Sequence, residues 1–323
     1  MSHRSVPVAV VGVGNMGENH VRVFDTLPQA ELVGIVEPDE KRAVEVGDRY
    51  GVPVVDGVDK LDEADAVSIA VPNDLHRTVA ESCLEAGLDV LVEKPLATTV
   101  EDAEAIIEAA ESAGAVLQVG HIERFNPAVN VLQEILRDEE VIALDAHRLG
   151  PFNEHLTSES VVFDLMIHDI DVMDSLVDSS ASFVDAVGAK SRSSELDHAI
   201  AHLMFDSGVI GTATASQVTH NKIRSLTVTA RDAYIELDYQ DQHIVVHRRG
   251  EEQTTTMKGR AGYRTETLSE TPFIPTREPL KNELEHFLKC VSDRSEPAVG
   301  GADGLRAVRL ATDIVNRAID RYP

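Results

Sequence analysis

The feature that most constrains the fold is a glycine turn set directly after an apolar strand. Residues Pro7–Val13 are apolar throughout, and Gly12-Val-Gly-Asn-Met-Gly17 then spells G-x-G-x-x-G before a helix-like stretch at Met16–Leu27. The three glycines have separate duties. Gly12 permits the tight turn, Gly14 lets the backbone approach a pyrophosphate, and Gly17 allows close helix–strand packing. Asn15 and Met16 complete the cradle at the helix N-terminus, where unpaired N–H groups favour an anion. Strand, glycine turn and helix in that order commit this part of the chain to a βαβ unit and a parallel sheet.

The pattern continues to about residue 120. Strands are expected at Glu31–Glu37, Asp65–Val71, Leu88–Glu93 and Ala115–Gly120, and helices at Glu40–Tyr50, Leu75–Ala86 and Val100–Ser112. Val and Ile fill the strands without polar alternation, as in parallel strands buried on both faces. Glu37 closes the second strand twenty positions after Gly17. A carboxylate there accepts hydrogen bonds from the adenine ribose and repels a 2′-phosphate, which selects NAD over NADP. Two further segments fall at the carboxyl edge of the sheet, where doubly wound folds bind ligands. Pro72 and Asn73, with His76 beyond them, either line a cofactor pocket or simply make a turn and a helix start. Glu93-Lys94-Pro95 ends another strand, and Pro95 stiffens the turn behind Lys94. A lysine beside a nicotinamide could polarise a substrate oxygen or join a proton relay.

After Gly120 the rhythm changes. A helix (Pro127–Arg137), a strand (Val141–Leu149), a Ser/Asn/Thr-rich loop and an apolar helix (Val161–Val177) precede a β-rich stretch from Phe183 to Arg248. Glu251–Pro279 is polar and reads as an extended loop, and two amphipathic helices, Leu280–Ser292 and Leu305–Ile319, follow. The expected class is α/β: a Rossmann-type doubly wound sheet, then an α+β domain with an open mixed or antiparallel sheet. Within Val161–Val177, Asp164 and His168 are four apart, which puts both on one face of an α-helix. An imidazole suits taking a hydroxyl proton as hydride leaves the same carbon, and a carboxylate beside it supports the imidazolium. A structural buried pair is the other reading. Asp169 and Asp171 raise the question of a metal, but one histidine with carboxylates pointing round a helix makes a poor ligand cluster, and no metal is expected.

These residues, in this order, resemble the glucose–fructose oxidoreductase/inositol dehydrogenase family (Gfo/Idh/MocA). The matching features are Gly12 to Gly17, Val71-Pro-Asn73 with His76, Glu93-Lys94-Pro95, Arg124-Phe-Asn126, Asp164-x-x-x-His168 and the closing Glu283–Asn316 stretch. The resemblance implies an NAD-binding domain over residues 1–122, with helices of about 280–323 packing back on it. It implies a substrate-binding and oligomerisation domain over 123–279, and a homodimer or homotetramer through the second sheet. It makes Lys94, Asp164 and His168 the catalytic set. Asn73, His76, Glu93 and Asn126 become cofactor-pocket or substrate-pocket groups, with sugars, sugar nucleotides or cyclitols as substrates. Gly120-His-Ile-Glu-Arg-Phe-Asn-Pro127 and Arg148-Leu-Gly-Pro-Phe152 are similar to the branch of UDP-N-acetylglucosamine 3-dehydrogenases, which implies oxidation of that UDP-sugar at C3. Arg124 and Arg148 are the candidate diphosphate ligands, since a guanidinium grips phosphate oxygens in a fork. Ion pairing with local carboxylates is their alternative role. Where that branch suggests a further basic group, the chain has Asn153-Glu154-His155. Free sugars or inositol are the second substrate reading, and a non-catalytic NAD-binding regulator is the third.

Charge narrows the partners. Fifty-six acidic residues face 29 basic ones, for a formal charge of −27, and only eight of the basic residues are lysines. No basic stripe exists to neutralise nucleic-acid phosphates. No apolar run approaches the ~18–20 residues of a membrane span, and two distant cysteines make a disulfide scaffold unexpected, so the cytoplasm is the default compartment. Carboxylates spread along the whole chain suit a halophilic setting, where the screening length falls to ~3 Å at 1 M salt. The thermal midpoint is therefore expected to rise between dilute buffer and molar KCl. A flat profile would leave the acidity without this explanation.

Overall fold

A computed structural model describes residues 5–152, 159–177, 179–257 and 260–320; the Asn153-Glu154-His155 segment lies outside them. The chain divides into two compact units. The first comprises Met1–Phe125 and Arg277–Thr312, the second Asn126–Thr276 and Asp313–Pro323.

In the first unit, β1 (Val6–Val11), β2 (Ala30–Val36), β3 (Ala66–Ile69), β4 (Asp89–Glu93) and β5 (Leu117–Gly120) form a parallel sheet of order β2-β1-β3-β4-β5. Helices α1 (Asn15–Thr26), α2 (Glu40–Tyr50), α3 (His76–Glu85) and α4 (Val100–Ala113) connect them. The chain leaves β1 toward β2 and later returns to the other side of β1 as β3. This reversal opens a crevice beyond the carboxyl ends of β1 and β3.

Alternation within each strand explains the two-sided burial. Ala9, Val11, Val67, Ile69, Val90 and Val92 enter one core with Leu84 and Ile106 from α3 and α4. Val8, Val10 and Leu91 point the other way, into a core with Val21 and Phe24 of α1 and Leu284, Phe287 and Leu288 of α7 (Pro279–Asp293). A period of two with both faces covered erases any polar alternation. Local signals fix the helix ends. Asp39 accepts from Lys41 N and Arg42 N at the start of α2, and Thr99 accepts from Asp102 N at the start of α4. Both helices stop at glycines in the left-handed region, Gly51 (φ 66°) and Gly114 (φ 62°).

The second unit is built on an eight-stranded sheet. Its strands are β6 (Val141–Leu149), β7 (Ala181–Ala189), β8 (His198–Phe205), β9 (Ile210–Ser216), β10 (Ile223–Ala230), β11 (Ala233–Asp238), β12 (His243–Met257) and β13 (Arg260–Glu270). The order is β13-β12-β11-β10-β6-β9-β8-β7, antiparallel except for the parallel β6–β9 pair. Helix α5 (Pro127–Leu136), capped by Asn126, and helix α6 (Ile167–Leu176) belong to this unit.

Three expectations are corrected. The stretch expected as a loop from Glu251 contains the end of β12 and all of β13, paired through Gln253↔Arg264 and Thr254↔Tyr263. Its Thr-rich sequence has no apolar period of two, so only the backbone register reveals the hairpin. The apolar helix begins as a π-helical turn, Val162–Met166, before α6. The closing helix α8 (Gly301–Asp320) does not belong wholly to the first unit, since residues from Asp313 onward group with the second. A Cβ added to Gly188 of β7 would stand 3.4 Å from that of Ala318. Among the described residues no helix is long and apolar enough to cross a membrane.

Candidate active site

The glycine turn is built as its spacing demands. Gly12 has φ +81°, and a Cβ there would lie 2.6 Å from the carbonyl oxygen of Ala70. At Gly17 it would lie 1.8 Å from the carbonyl oxygen of Gly12. Both glycines are required by packing within the protein. Gly14 differs: a Cβ would meet nothing within 4 Å, so the space beside it is open to a ligand. Gly14 is also the N-cap of α1 and no side chain bonds the first N–H groups of the helix, which leaves them to an anion at Asn15 and Met16.

Glu37 stands just past β2, where its carboxylate accepts from Val13 N (2.9 Å) and Asp39 N (3.1 Å). It is thereby fixed against the glycine turn, with lone pairs left for ribose hydroxyls. Arg42 donates to Val13 O (2.8 Å) and pairs with Glu18. An open cradle at Gly14, a helix start without a side-chain cap and a fixed carboxylate at the second strand together fit a dinucleotide.

Further along the same edge, Pro72 precedes a 3-10 turn, Asn73–Leu75, that leads into α3. His76, read as either a cofactor-pocket group or part of a turn and helix start, is fully buried, with Nδ1 2.8 Å from Pro95 O and Nε2 3.1 Å from Val71 O. It bridges the connections after β3 and β4, and burial holds its pKa below the usual histidine value. Lys94 is half-buried and precedes a cis peptide to Pro95.

Glu93, expected in the cofactor pocket, is buried. One carboxylate oxygen meets His20 Nε2 at 2.9 Å and the other accepts from Lys94 N at 3.1 Å. The far side of the His20 ring meets Ser68 Oγ at 2.6 Å. Burial alone pushes the Glu93 carboxyl up. The His20 bond and the Lys94 charge outweigh it and hold the group below the usual carboxylate range. His20 was not singled out in the sequence. It lies three residues beyond Gly17, one helical turn on, and that spacing was the available signal.

In the second unit, Asp164 lies in the π turn and accepts from Gln217 Nε2 at 2.6 Å; His168 follows near the start of α6, half-buried. The π-helix is rare and occurs often at functional sites. Gln217, one residue past β9, is a further candidate that sequence reasoning missed, because nothing near it marks Asp164 as its partner.

Two of the expected substrate groups have partners within the protein. Arg148 is buried and forms a two-pronged pair with Asp169, Nε–Oδ2 2.8 Å and Nη2–Oδ1 2.9 Å, with its guanidinium 5.1 Å from the centre of the Tyr239 ring. Asn126 donates to Tyr239 O (3.1 Å) and accepts from Ala128 N (3.0 Å), capping α5. Both are buried. Arg124, in the first unit, follows β5 in a 3-10 turn, half-buried, and reaches Ala298 O at 3.4 Å.

Comparison with known proteins supplies the family. Residues 6–121 match "Oxidoreductase family, NAD-binding Rossmann fold", and residues 153–321 match "Oxidoreductase family, C-terminal alpha/beta domain". The chain belongs to the Gfo/Idh/MocA oxidoreductase family. It is 31% identical to UDP-N-acetylglucosamine 3-dehydrogenase of Acidithiobacillus ferrooxidans over 94% of this chain and 95% of that one. A solved structure of that enzyme superposes with a TM-score of 0.88, 29% identity and 97% coverage of both chains. The NAD-dependent scyllo-inositol 2-dehydrogenase of Bacillus subtilis is 26% identical over 94% of this chain and 91% of its own. Levoglucosan dehydrogenase, solved with NADH and levoglucosan, shares the fold at 21% identity, with a TM-score of 0.83 and coverage of 99% and 98%. This Gfo/Idh/MocA member is therefore an oxidoreductase with an NAD-binding Rossmann domain.

The glycines and Arg148 make separable predictions. Gly17→Ala forces the contact with Gly12 O apart and should lower the thermal midpoint by on the order of 5 °C. Gly14→Ala should leave the midpoint nearly unchanged and weaken NAD binding at least about tenfold, as read by cofactor titration. Equal effects of the two on stability would sink this division of roles. Arg148→Met strands Asp169 without its partner and should cost roughly 3–5 kcal/mol in denaturant unfolding. The double change Arg148→Met/Asp169→Leu should recover most of it. A variant at Arg148 of unchanged stability but raised substrate KM would return that residue to the substrate site.

Proposed function

We propose that this enzyme oxidises the C3 hydroxyl of a UDP-sugar, UDP-N-acetylglucosamine, to the 3-keto compound with NAD. The observation that carries the reading is the end-to-end likeness to UDP-N-acetylglucosamine 3-dehydrogenase, in sequence over 94% of the chain and in structure over 97%. The inositol and sugar dehydrogenases that also match keep a free polyol as the second substrate reading.

In the proposed mechanism His168 takes the proton of the C3 hydroxyl. Asp164, oriented by Gln217, supports the imidazolium, and Lys94 stabilises the oxygen as its negative charge develops. Bound NAD supplies the acceptor for the hydride that leaves C3, and one proton is released overall. Gly12, Gly14, Asn15, Met16 and Gly17 would hold its pyrophosphate, Glu37 its adenine ribose, and Asn73 would border the nicotinamide side. Ser68, His20 and Glu93 form a buried chain that fixes the backbone of Lys94. The charge of Glu37 supports a preference for NAD over NADP. Exposed Val187, Met204, Ile210 and Tyr234 on the eight-stranded sheet support a homo-oligomer assembled through that face. Two buried free cysteines, Cys83 and Cys290, go with a cytoplasmic enzyme.

The test is NADH formation with UDP-N-acetylglucosamine, other UDP-sugars, free sugars and inositols, in low and molar KCl. An amine donor and aminotransferase would trap the ketone for mass spectrometry. UDP-N-acetylglucosamine should give a product two hydrogens lighter, or its 3-amino derivative. His168→Ala should lower kcat by ~10²–10⁴ with NAD binding retained. Reduction of NAD by inositol or free sugars alone would overturn the substrate, and near-normal turnover by His168→Ala would overturn the base.

A further inference from the structure

Arg148 pairs with Asp169, and the register of the second sheet brings further cations to one edge. Leu149 at the end of β6 is aligned with Ser216 of β9 and Ile223 of β10. Ser216 is aligned with His198 of β8, and His198 with Ala189 of β7. The connections 150–152, 190–197 and 217–222 therefore leave the same edge of the sheet. That edge also holds the catalytic helix. Gln217 grips Asp164, and Val161 N, at the helix start, donates to Leu196 O at 2.7 Å.

Basic side chains are present on two of these connections despite the acidity of the whole protein. These connections and their flanks carry Lys190, Arg192, Lys222 and Arg224 against Glu195 and Asp197. Asp197 is fully buried and turned inward, where it accepts from Ser191 N (2.8 Å), Ser191 Oγ (3.0 Å), Arg192 N (2.5 Å) and Ser193 N (3.3 Å). A buried carboxylate thus fastens an exposed loop at the residue that bears the guanidinium. The Arg192 guanidinium lies 5.5 Å from the centre of the Phe152 ring. Arg42, Arg49, Arg77 and Arg309 all hold carboxylates, whereas among the described residues the Arg192 side chain lies against this ring. A guanidinium held over a ring is attracted by the ring's face and can still offer N–H groups as a planar fork to phosphate oxygens.

We propose that Arg192, laid over Phe152, is the diphosphate-binding group of this enzyme and selects nucleoside-diphosphate sugars over free sugars. The inference rests on the nucleotide-sugar reading and assigns the residue that enforces it. It is decided by two measurements on the full chain. In steady state, Arg192→Ala should raise KM for UDP-N-acetylglucosamine about tenfold to a hundredfold, with a far smaller change in kcat and none in KM for NAD. Arg192→Lys, which keeps the charge and loses the fork, should fall between. In calorimetry, UDP titrated into NAD-saturated enzyme should bind, and Arg192→Ala should weaken that binding by a similar factor.

The outcomes separate the two readings. UDP bound through Arg192 with no UDP-sugar turned over overturns the proposed substrate and leaves the diphosphate site standing. UDP-N-acetylglucosamine turned over equally well by Arg192→Ala overturns the site and leaves the substrate. Failure of UDP to bind the NAD-saturated protein overturns the site as well.

Discussion

The contact between Gly17 and the carbonyl of Gly12 sets the geometry of the whole carboxyl edge of the first sheet. Only with no side chain at residue 17 can α1 pack so closely on the turn that ends β1. Once α1 is seated there, His20 arrives one turn later beneath the strands, touching Ser68 of β3 and Glu93 of β4. Glu93 in turn holds the backbone N–H of Lys94. The turn that fits the pyrophosphate and the lysine proposed to act on substrate are thus two ends of one buried, hydrogen-bonded frame. His76 ties the same lysine turn to the end of β3 from the other side, through Pro95 O and Val71 O. A pre-set lysine has practical value, since misplacement of a reacting group by 1 Å can cost about a hundredfold in rate.

The second unit solves a related problem with charges. Burying a lone carboxylate is costly, and the cost is removed only by a well-aligned partner. Asp169 follows His168 directly and takes both prongs of Arg148, which locks α6 onto β6. Asp197 spends its carboxylate on the backbone of the Ser191–Ser193 turn. Asp164 takes the amide of Gln217. Each buried or half-buried acid therefore fixes one element relative to the next, and the proposed base sits between two of these anchors. The sea of surface carboxylates plays no part in this, because exposed pairs contribute little each.

Much of the fold was legible because its signals are local. Gly12, Gly14 and Gly17, the two-faced apolar strands and Glu37 follow from rules that need no knowledge of distant residues. The β12–β13 hairpin was not legible, since a polar, Thr-rich segment carries no periodicity that separates strand from loop. For the candidate site the sequence offered residue types and left their direction open. Arg148, Asn126 and His76, all expected as ligand groups, each have hydrogen-bond partners within the protein. Sequence records which side chain a position has, not which way the backbone turns it. His20 and Gln217 were missed for the converse reason: their importance lies wholly in partners 73 and 53 positions away.

Net charge and local field must also be kept apart. A charge of −27 describes the approach of a ligand, and its reach shrinks from about 10 Å at 0.1 M salt to about 3 Å at 1 M. Inside that range only groups in contact with the ligand decide binding. A lysine offers a hydrated point charge, which concentrated salt screens readily. An arginine offers directed N–H bonds in a fixed plane, and these persist when long-range attraction is gone. A chain with eight lysines and 21 arginines is consistent with that physics. The same logic bears on Arg192. Its worth to a diphosphate does not depend on drawing the substrate in from a distance, which the acidic surface opposes. It depends on a guanidinium already laid on Phe152, with its backbone held by Asp197, so that little freedom remains to be lost when phosphate arrives.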